Sequence, residues 1–207
     1  ELAEDVVEGD EDPGGPGGQE RPQQDPQRDG HHNPEQDPEP KPGALLCFHR
    51  QGTMDEFRKT VDKYNHKFNK KGLYFRILFT CPTRTLLYVY RPKMICEYVR
   101  RKCNLCFLRQ FGYNDSMTLT DMLNKLEERF SETGCFPHES GIFLGYPVED
   151  VYGFIRNSGN HAKLCGEWKV YGDAQKAAEI FETYTRCRQD YINRFSVGIK
   201  LEELIVA

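Results

Sequence analysis

Only part of this chain has the material to fold. Residues 1–44 carry 13 acidic and 3 basic side chains, 8 of the 12 prolines and no aromatic residue. Such a segment cannot bury enough apolar area to offset a backbone entropy of about 1–2 kcal/mol per residue. It is expected to be a disordered, acidic, Pro/Gly-rich tail, with residues 45–207 forming a single globular domain. The His31-His32 pair inside it is too short to act as a metal-binding tract.

The division changes what the charge means. The chain as a whole has a net charge of −4, yet residues 45–207 hold 25 basic side chains against 19 acidic ones. Their densest basic cluster, Arg100-Arg101-Lys102, fits a solvated helix face. A nucleic-acid stripe would interleave more lysine and arginine with exposed aromatics, so nucleic acid is not an expected partner. No run of 18 apolar residues exists, so no transmembrane helix is expected and no membrane is called for. No basic-then-apolar opening marks a secretory signal. All eight cysteines (Cys47, Cys81, Cys96, Cys103, Cys106, Cys135, Cys165 and Cys187) fall within the domain. A domain of this length does not need disulfide staples, so reduced thiols in a cytoplasm are expected.

Local patterns define the elements. Residues 45–49 read as a short strand. Thr53 and Glu56 fit a capping box, and Phe57, Val61, Tyr64 and Phe68 follow at helical spacing up to a C-cap at Gly72. Leu73, Phe75, Ile77 and Phe79 alternate onto one face. With the β-rich run 85–91 they form a hairpin across a turn at Pro82, Thr83 and Arg84. Pro92 opens a helix running to about Lys102, and another continues to Phe111. Thr118 or Thr120 caps the next, with Leu119, Leu123, Leu126 and Phe130 inward.

The apolar run Gly141-Ile142-Phe143-Leu144-Gly145 is expected to be a strand covered on both faces. Pro147 opens a short helix carrying Val148, Val151, Phe154 and Ile155, closed by residues 157–160. Residues 163–171 read as one more strand, with Leu164, Gly166, Trp168 and Val170 sharing the core face. Asp173 caps a long final helix with Ala177, Phe181, Tyr184, Cys187 and Tyr191 inward. The segment 146–160 is long enough for a right-handed parallel crossover between the last two strands. The expected fold is α+β. It has a mixed sheet of about four to five strands, a β-hairpin plus a parallel βαβ-like unit, packed by helices.

The stretch Phe136-Pro137-His138-Glu139-Ser140-Gly141-Ile142-Phe143-Leu144-Gly145-Tyr146-Pro147-Val148-Glu149-Asp150-Val151-Tyr152-Gly153-Phe154-Ile155 and the block Gly166-Glu167-Trp168-Lys169-Val170-Tyr171-Gly172-Asp173 resemble the signature blocks of a bacterial family. That family is catalogued as domain of unknown function 3793 and occurs mainly in anaerobic Firmicutes. Lys41-Pro42-Gly43-Ala44-Leu45-Leu46 resembles the family's early Lys-Pro element, and Leu87-Tyr88-Val89-Tyr90-Arg91-Pro92 is similar to its hairpin exit. The likeness spans residues 40–195. The chain departs from the family pattern just before Lys41, where acidic low-complexity sequence replaces a Cys-Ala-Pro-Thr-Leu-Ala-Gly-like element. The resemblance implies kinship of fold, supplies no activity, cofactor or site, and tilts expectation toward metal or redox physiology.

Candidate chemistry separates into two ends of the expected strand 141–145, roughly 17 Å apart at about 3.3 Å per residue. A parallel crossover gathers Cys135, His138, Glu139, His161 and Cys165 at the first end, side chains competent for zinc or ferrous iron. The plain structural alternative is a His-Glu pair that orients the loop entering the strand. The second end holds Tyr146, Glu149 and Asp150, with Tyr171 and Asp173 from the neighbouring strand, beyond the carboxyl ends where open α/β sheets bind ligands. Glu149 and Asp150 complement the dipole of their own helix start and repel phosphate. A cation, an amine or a partner's basic side chain fits there, and plain capping is the alternative.

Cys103-Asn104-Leu105-Cys106 is a lone C-x-x-C. It lacks an internal Pro or Gly and follows a helix, which weighs against a redox role. Trp168 is expected in the core. No Ser/His/Asp set, glycine-rich phosphate loop or His-Glu-x-x-His is present. The leading expectation is a cytoplasmic, non-catalytic binding or regulatory module with a protein partner or small ligand. The alternative is a metal- or thiol-dependent enzyme using the His138 and Glu139 end.

Overall fold

In the computed structural model the described residues are 41–49, 52–133 and 136–205. They all belong to one unit, Asp37–Ala207. The expected tail, apart from residues 41–44, lies outside the described residues. The first strand, β1 (Gly43–His49), begins two positions ahead of residue 45.

Local chemistry builds the first half as the patterns require. Helix α1 (Met54–Phe68) starts on the capping box. The Thr53 hydroxyl accepts from Glu56 N, and the Glu56 carboxylate accepts from Thr53 N. Strands β2 (Tyr74–Thr80) and β3 (Arg84–Tyr90) form the expected hairpin, and β1 adds antiparallel to β3, giving the order β1-β3-β2. A bulge between Ile77 and Phe79 re-aims the strand, so Leu78 is the residue driven into the core. The Asn65 side chain accepts from Phe75 N and donates to Phe75 O, both at 2.8 Å, which docks α1 on β2.

Helices α2 (Pro92–Val99), α3 (Lys102–Arg109) and α4 (Leu119–Thr133) complete this layer. Thr118 rather than Thr120 caps α4, by reciprocal bonds with Asp121. Leu123, Leu126 and Phe130 face inward as expected and join Leu78, Tyr88, Ile95, Val99 and Leu108 in the main core.

The second half corrects the expected sheet. Residues 141–145 are not a strand: Ser140–Phe143 form a buried helical turn, α5. Gly145 ends it at φ +82°, a left-handed conformation open to glycine. Gly145 N donates to Ile142 O at 3.1 Å and Tyr146 N to Gly141 O at 2.9 Å, the paired bonds of a Schellman cap. A Cβ on Gly145 would also overlap the Pro42 ring.

Residues 163–171 are not one strand either. After α6 (Val148–Arg156) the chain forms a two-stranded antiparallel hairpin, β4 (Leu164–Cys165) and β5 (Lys169–Val170), separate from the main sheet. No parallel pair exists among the described residues, so the βαβ-like unit is absent there. The fold is α+β with small antiparallel sheets. Trp168 is turned inward against Phe181 and Ala177 of the long helix α7 (Ala174–Ser196) and forms a second, smaller core. Asp173 caps α7 as expected, but Tyr191 lies exposed, so the inner stripe ends near Cys187. A short helix, α8 (Leu201–Leu204), follows. No described helix is long and apolar enough to cross a membrane.

Candidate functional site

The ends of the 138–150 segment meet different surroundings. At the first end, the premise of the metal cluster fails with the parallel crossover. His138 is exposed, its ring 5.5 Å from that of Phe154. Glu139 is completely buried, and its Oε1 accepts from Arg129 Nε of α4 at 2.7 Å. His161 and Cys165 are exposed, in the loop before β4 and on β4 itself. Cys135 lies outside the described residues. Among the described residues no group of three or more His, Cys, Asp or Glu side chains is arranged to hold a metal ion.

The second end is built around Asp150, 3% exposed in the first turn of α6. One oxygen accepts from Tyr171 N and Gly172 N, each at 2.7 Å, and the other from Trp168 Nε1 at 2.7 Å. Asp150 therefore clamps the β4–β5 hairpin onto α6. Tyr146 supports the same joint. Its ring stacks on Trp168, with centroids 5.1 Å apart, and its backbone oxygen accepts from the Tyr98 hydroxyl at 2.8 Å. Tyr171 turns its hydroxyl into the interior, where it has no hydrogen-bond partner.

In front of this joint lies a cleft of about 520 Å³ between α2, the start of α3, the start of α6 and α7. Of the five expected residues, Glu149, Asp150 and Asp173 line it, while Tyr146 and Tyr171 do not. Sequence reasoning missed the rest of the wall: Glu97, Tyr98 and Arg101 from α2 and its exit, Cys103 from α3, and Lys176 and Tyr184 from α7. Apart from the C-x-x-C that contains Cys103 and the basic cluster that contains Arg101, no motif marks those positions, and neither feature pointed to this cleft. Glu97 and Arg101 sit one helical turn apart on a stretch that reads as ordinary solvated surface.

Aromatic rings give the cleft its character. Burial pushes the Tyr98 hydroxyl up to about 12, against the lowering effect of the Arg101 charge and the Asn104 hydrogen bond. It stays a neutral donor, so carboxylates carry the negative charge of the wall. The Arg101 guanidinium lies 4.7 Å from the Tyr98 ring centroid. On the α7 side the Lys41 ammonium sits 5.6 Å from the Tyr184 ring and 5.9 Å from the Tyr146 ring, and pairs with Glu167 at 3.2 Å. Arg188 pairs with the other Glu167 oxygen.

A family profile described as "Protein of unknown function (DUF3793)" matches residues 38–205. The chain belongs to that family. The DUF3793 match starts ahead of Lys41 and Pro42, so it takes in the segment that contributes the caged ammonium and a cleft-lining ring. It also takes in α5, the Asp150 clamp and the β4–β5 hairpin. No curated protein and no solved structure matches this DUF3793 chain.

Proposed function

We propose that this chain is a binding or regulatory module whose cleft takes an organic cation, a primary amine or a guanidinium, free or on a partner's side chain. The observation that carries the reading is the Lys41 ammonium held by two tyrosine rings and a carboxylate beside the cleft, one of those rings, Tyr184, being part of the cleft lining. Aromatic faces attract a cation within about 6 Å, and the attraction grows as water is excluded. The cleft repeats this chemistry in its open part. Tyr98, Trp168 and Tyr184 supply rings, and Glu97, Glu149 and Asp173 supply carboxylates. Arg101 is engaged over Tyr98, which leaves Lys176 as the opposing charge. The cytoplasmic setting expected from the sequence is part of this reading.

Trp168 is the sole tryptophan and lines the cleft, so its fluorescence reports occupancy. Titration with 1,4-diaminobutane or agmatine is expected to change Trp168 emission saturably, whereas glutamate leaves it unchanged. Glu149→Lys and Glu97→Lys, both on exposed side chains, are each expected to weaken the response by about tenfold, Glu97→Lys without changing the urea midpoint and Glu149→Lys with only the small loss, about 0.3–1 kcal/mol, of a charge removed from a helix start. The reading falls if neither cation gives a saturable change, or if the charge-reversed variants bind as the parent does.

A further inference from the structure

We propose that Cys103 and Cys106 form a reversible dithiol–disulfide pair on the rim of the cleft, exchanging with low-molecular-weight disulfides such as glutathione disulfide. The proposal does not depend on what the cleft binds. Sequence alone weighs against it, because the pair follows a helix. The structure changes that weighing: α2 stops at Val99 and α3 starts afresh at Lys102, so the pair follows one helix and also opens another. Both thiols are exposed, and Cys103 lines the cleft, which gives a small disulfide a route to it.

Geometry favours closure within the pair. Residues three apart on a helix share a face, with Cβ atoms about 5–6 Å apart. A disulfide needs about 3.5–4.5 Å, so the first turn of α3 must tighten by about 1–2 Å. The start of that turn has no side-chain cap: Arg101 at the N-cap makes no such bond, and the first backbone N–H groups of a helix have no intrahelical partner. One contact opposes closure: the Cys103 thiol donates to Asn104 Oδ1 at 3.6 Å. A thiol is a weak donor, so its loss costs little. Asn104 keeps its stronger bond, from Nδ2 to Tyr98 O at 2.8 Å.

The chemistry balances without a cofactor. The Cys103 thiolate attacks one sulfur of glutathione disulfide, forming a mixed disulfide and expelling one glutathione thiolate. The Cys106 thiolate then attacks the Cys103 sulfur, forming the internal bridge and expelling the second glutathione. Two protein thiols are oxidised, one glutathione disulfide is reduced to two thiols, and the protons exchange with solvent. The second step is intramolecular, so the neighbouring thiol acts at high effective concentration.

The test equilibrates the reduced full chain with equal parts glutathione and glutathione disulfide, blocks remaining thiols by alkylation, and maps tryptic peptides by mass spectrometry. Peptide 103–109 is expected to carry an internal bridge that dithiothreitol reverses. Cys106→Ser is expected to trap the glutathione adduct at Cys103, about tenfold more abundant than in the parent. Cys103→Ser is expected to abolish the bridge, with circular dichroism showing both variants folded. The proposal is overturned if the native parent keeps both thiols alkylatable, or if the Cys103 adduct is as abundant in the parent as in Cys106→Ser.

Discussion

Glu139 and Asp150 are two buried carboxylates of the same stretch, residues 136–155, and they are held in opposite ways. Asp150 takes three N–H donors, one from an indole and two from the backbone, all contributed by the hairpin it clamps. Glu139 takes one bond from Arg129, and its second oxygen, like the neighbouring Ser140 hydroxyl and the Tyr113 hydroxyl, has no partner. Burial of a charged group is tolerated in proportion to the donors that replace water. Asp150 is thus a structural joint between two cores, whereas Glu139 is a half-satisfied pair inside one.

Four measurements break or sharpen this contrast. The largest effect is expected from Asp150→Ala, which strands the Trp168 indole, Tyr171 N and Gly172 N together. Urea unfolding should show a loss of about 3–4 kcal/mol. A loss near zero would mean that the hairpin does not depend on the clamp. Next is Trp168→Phe, which keeps an aromatic ring beside Tyr146 and Phe181 but removes one donor. A loss of about 1–2 kcal/mol is expected, and a double-mutant cycle with Asp150→Ala should show coupling between the two.

Glu139→Gln should be milder still. It keeps an acceptor for Arg129 and removes a charge that only one donor compensates, so a change within about 1 kcal/mol is expected. If it proves as costly as Asp150→Ala, the contrast collapses.

The smallest effect concerns Glu167, beside Trp168 in the turn between β4 and β5. Burial pushes its carboxyl up, but the hydrogen bonds from Arg188 and Lys41 outweigh this and hold it below the ordinary 4.5. A group with a lowered folded-state pKa contributes stability above its ordinary pKa and loses it as pH falls through the folded value. Glu167→Gln should therefore remove a few tenths of a kcal/mol at neutral pH and flatten the acid limb below about pH 4.5. An unchanged acid limb would show that the Lys41 and Arg188 pairs are screened by solvent.

Legibility in the sequence followed the range of the interaction. The Thr53–Glu56 box, the β2–β3 hairpin and the Asp173 cap are local, and each was readable from a few adjacent residues. The helical turn at 140–143 was also marked, by Gly145 with Pro147 two residues later, a common helix-ending pattern. The apolar run outweighed that signal, because a short buried helix and a buried strand share one hydrophobic pattern. That misreading made the crossover parallel and brought His138, Glu139, His161 and Cys165 together. In the structure these residues lie on an exposed loop, in a buried pair and around a separate hairpin.

By itself the sequence determined which residues carry apolar faces and where helices are capped, since these depend on neighbours a few positions apart. Only the tertiary structure decided which carboxylate became a clamp and which residues wall the cleft. Trp168, Tyr171 and Gly172 reach Asp150, and Lys41 reaches Tyr184, across long separations in the chain. Donors so far apart are brought to one acceptor by packing, and no local pattern of residues encodes that meeting.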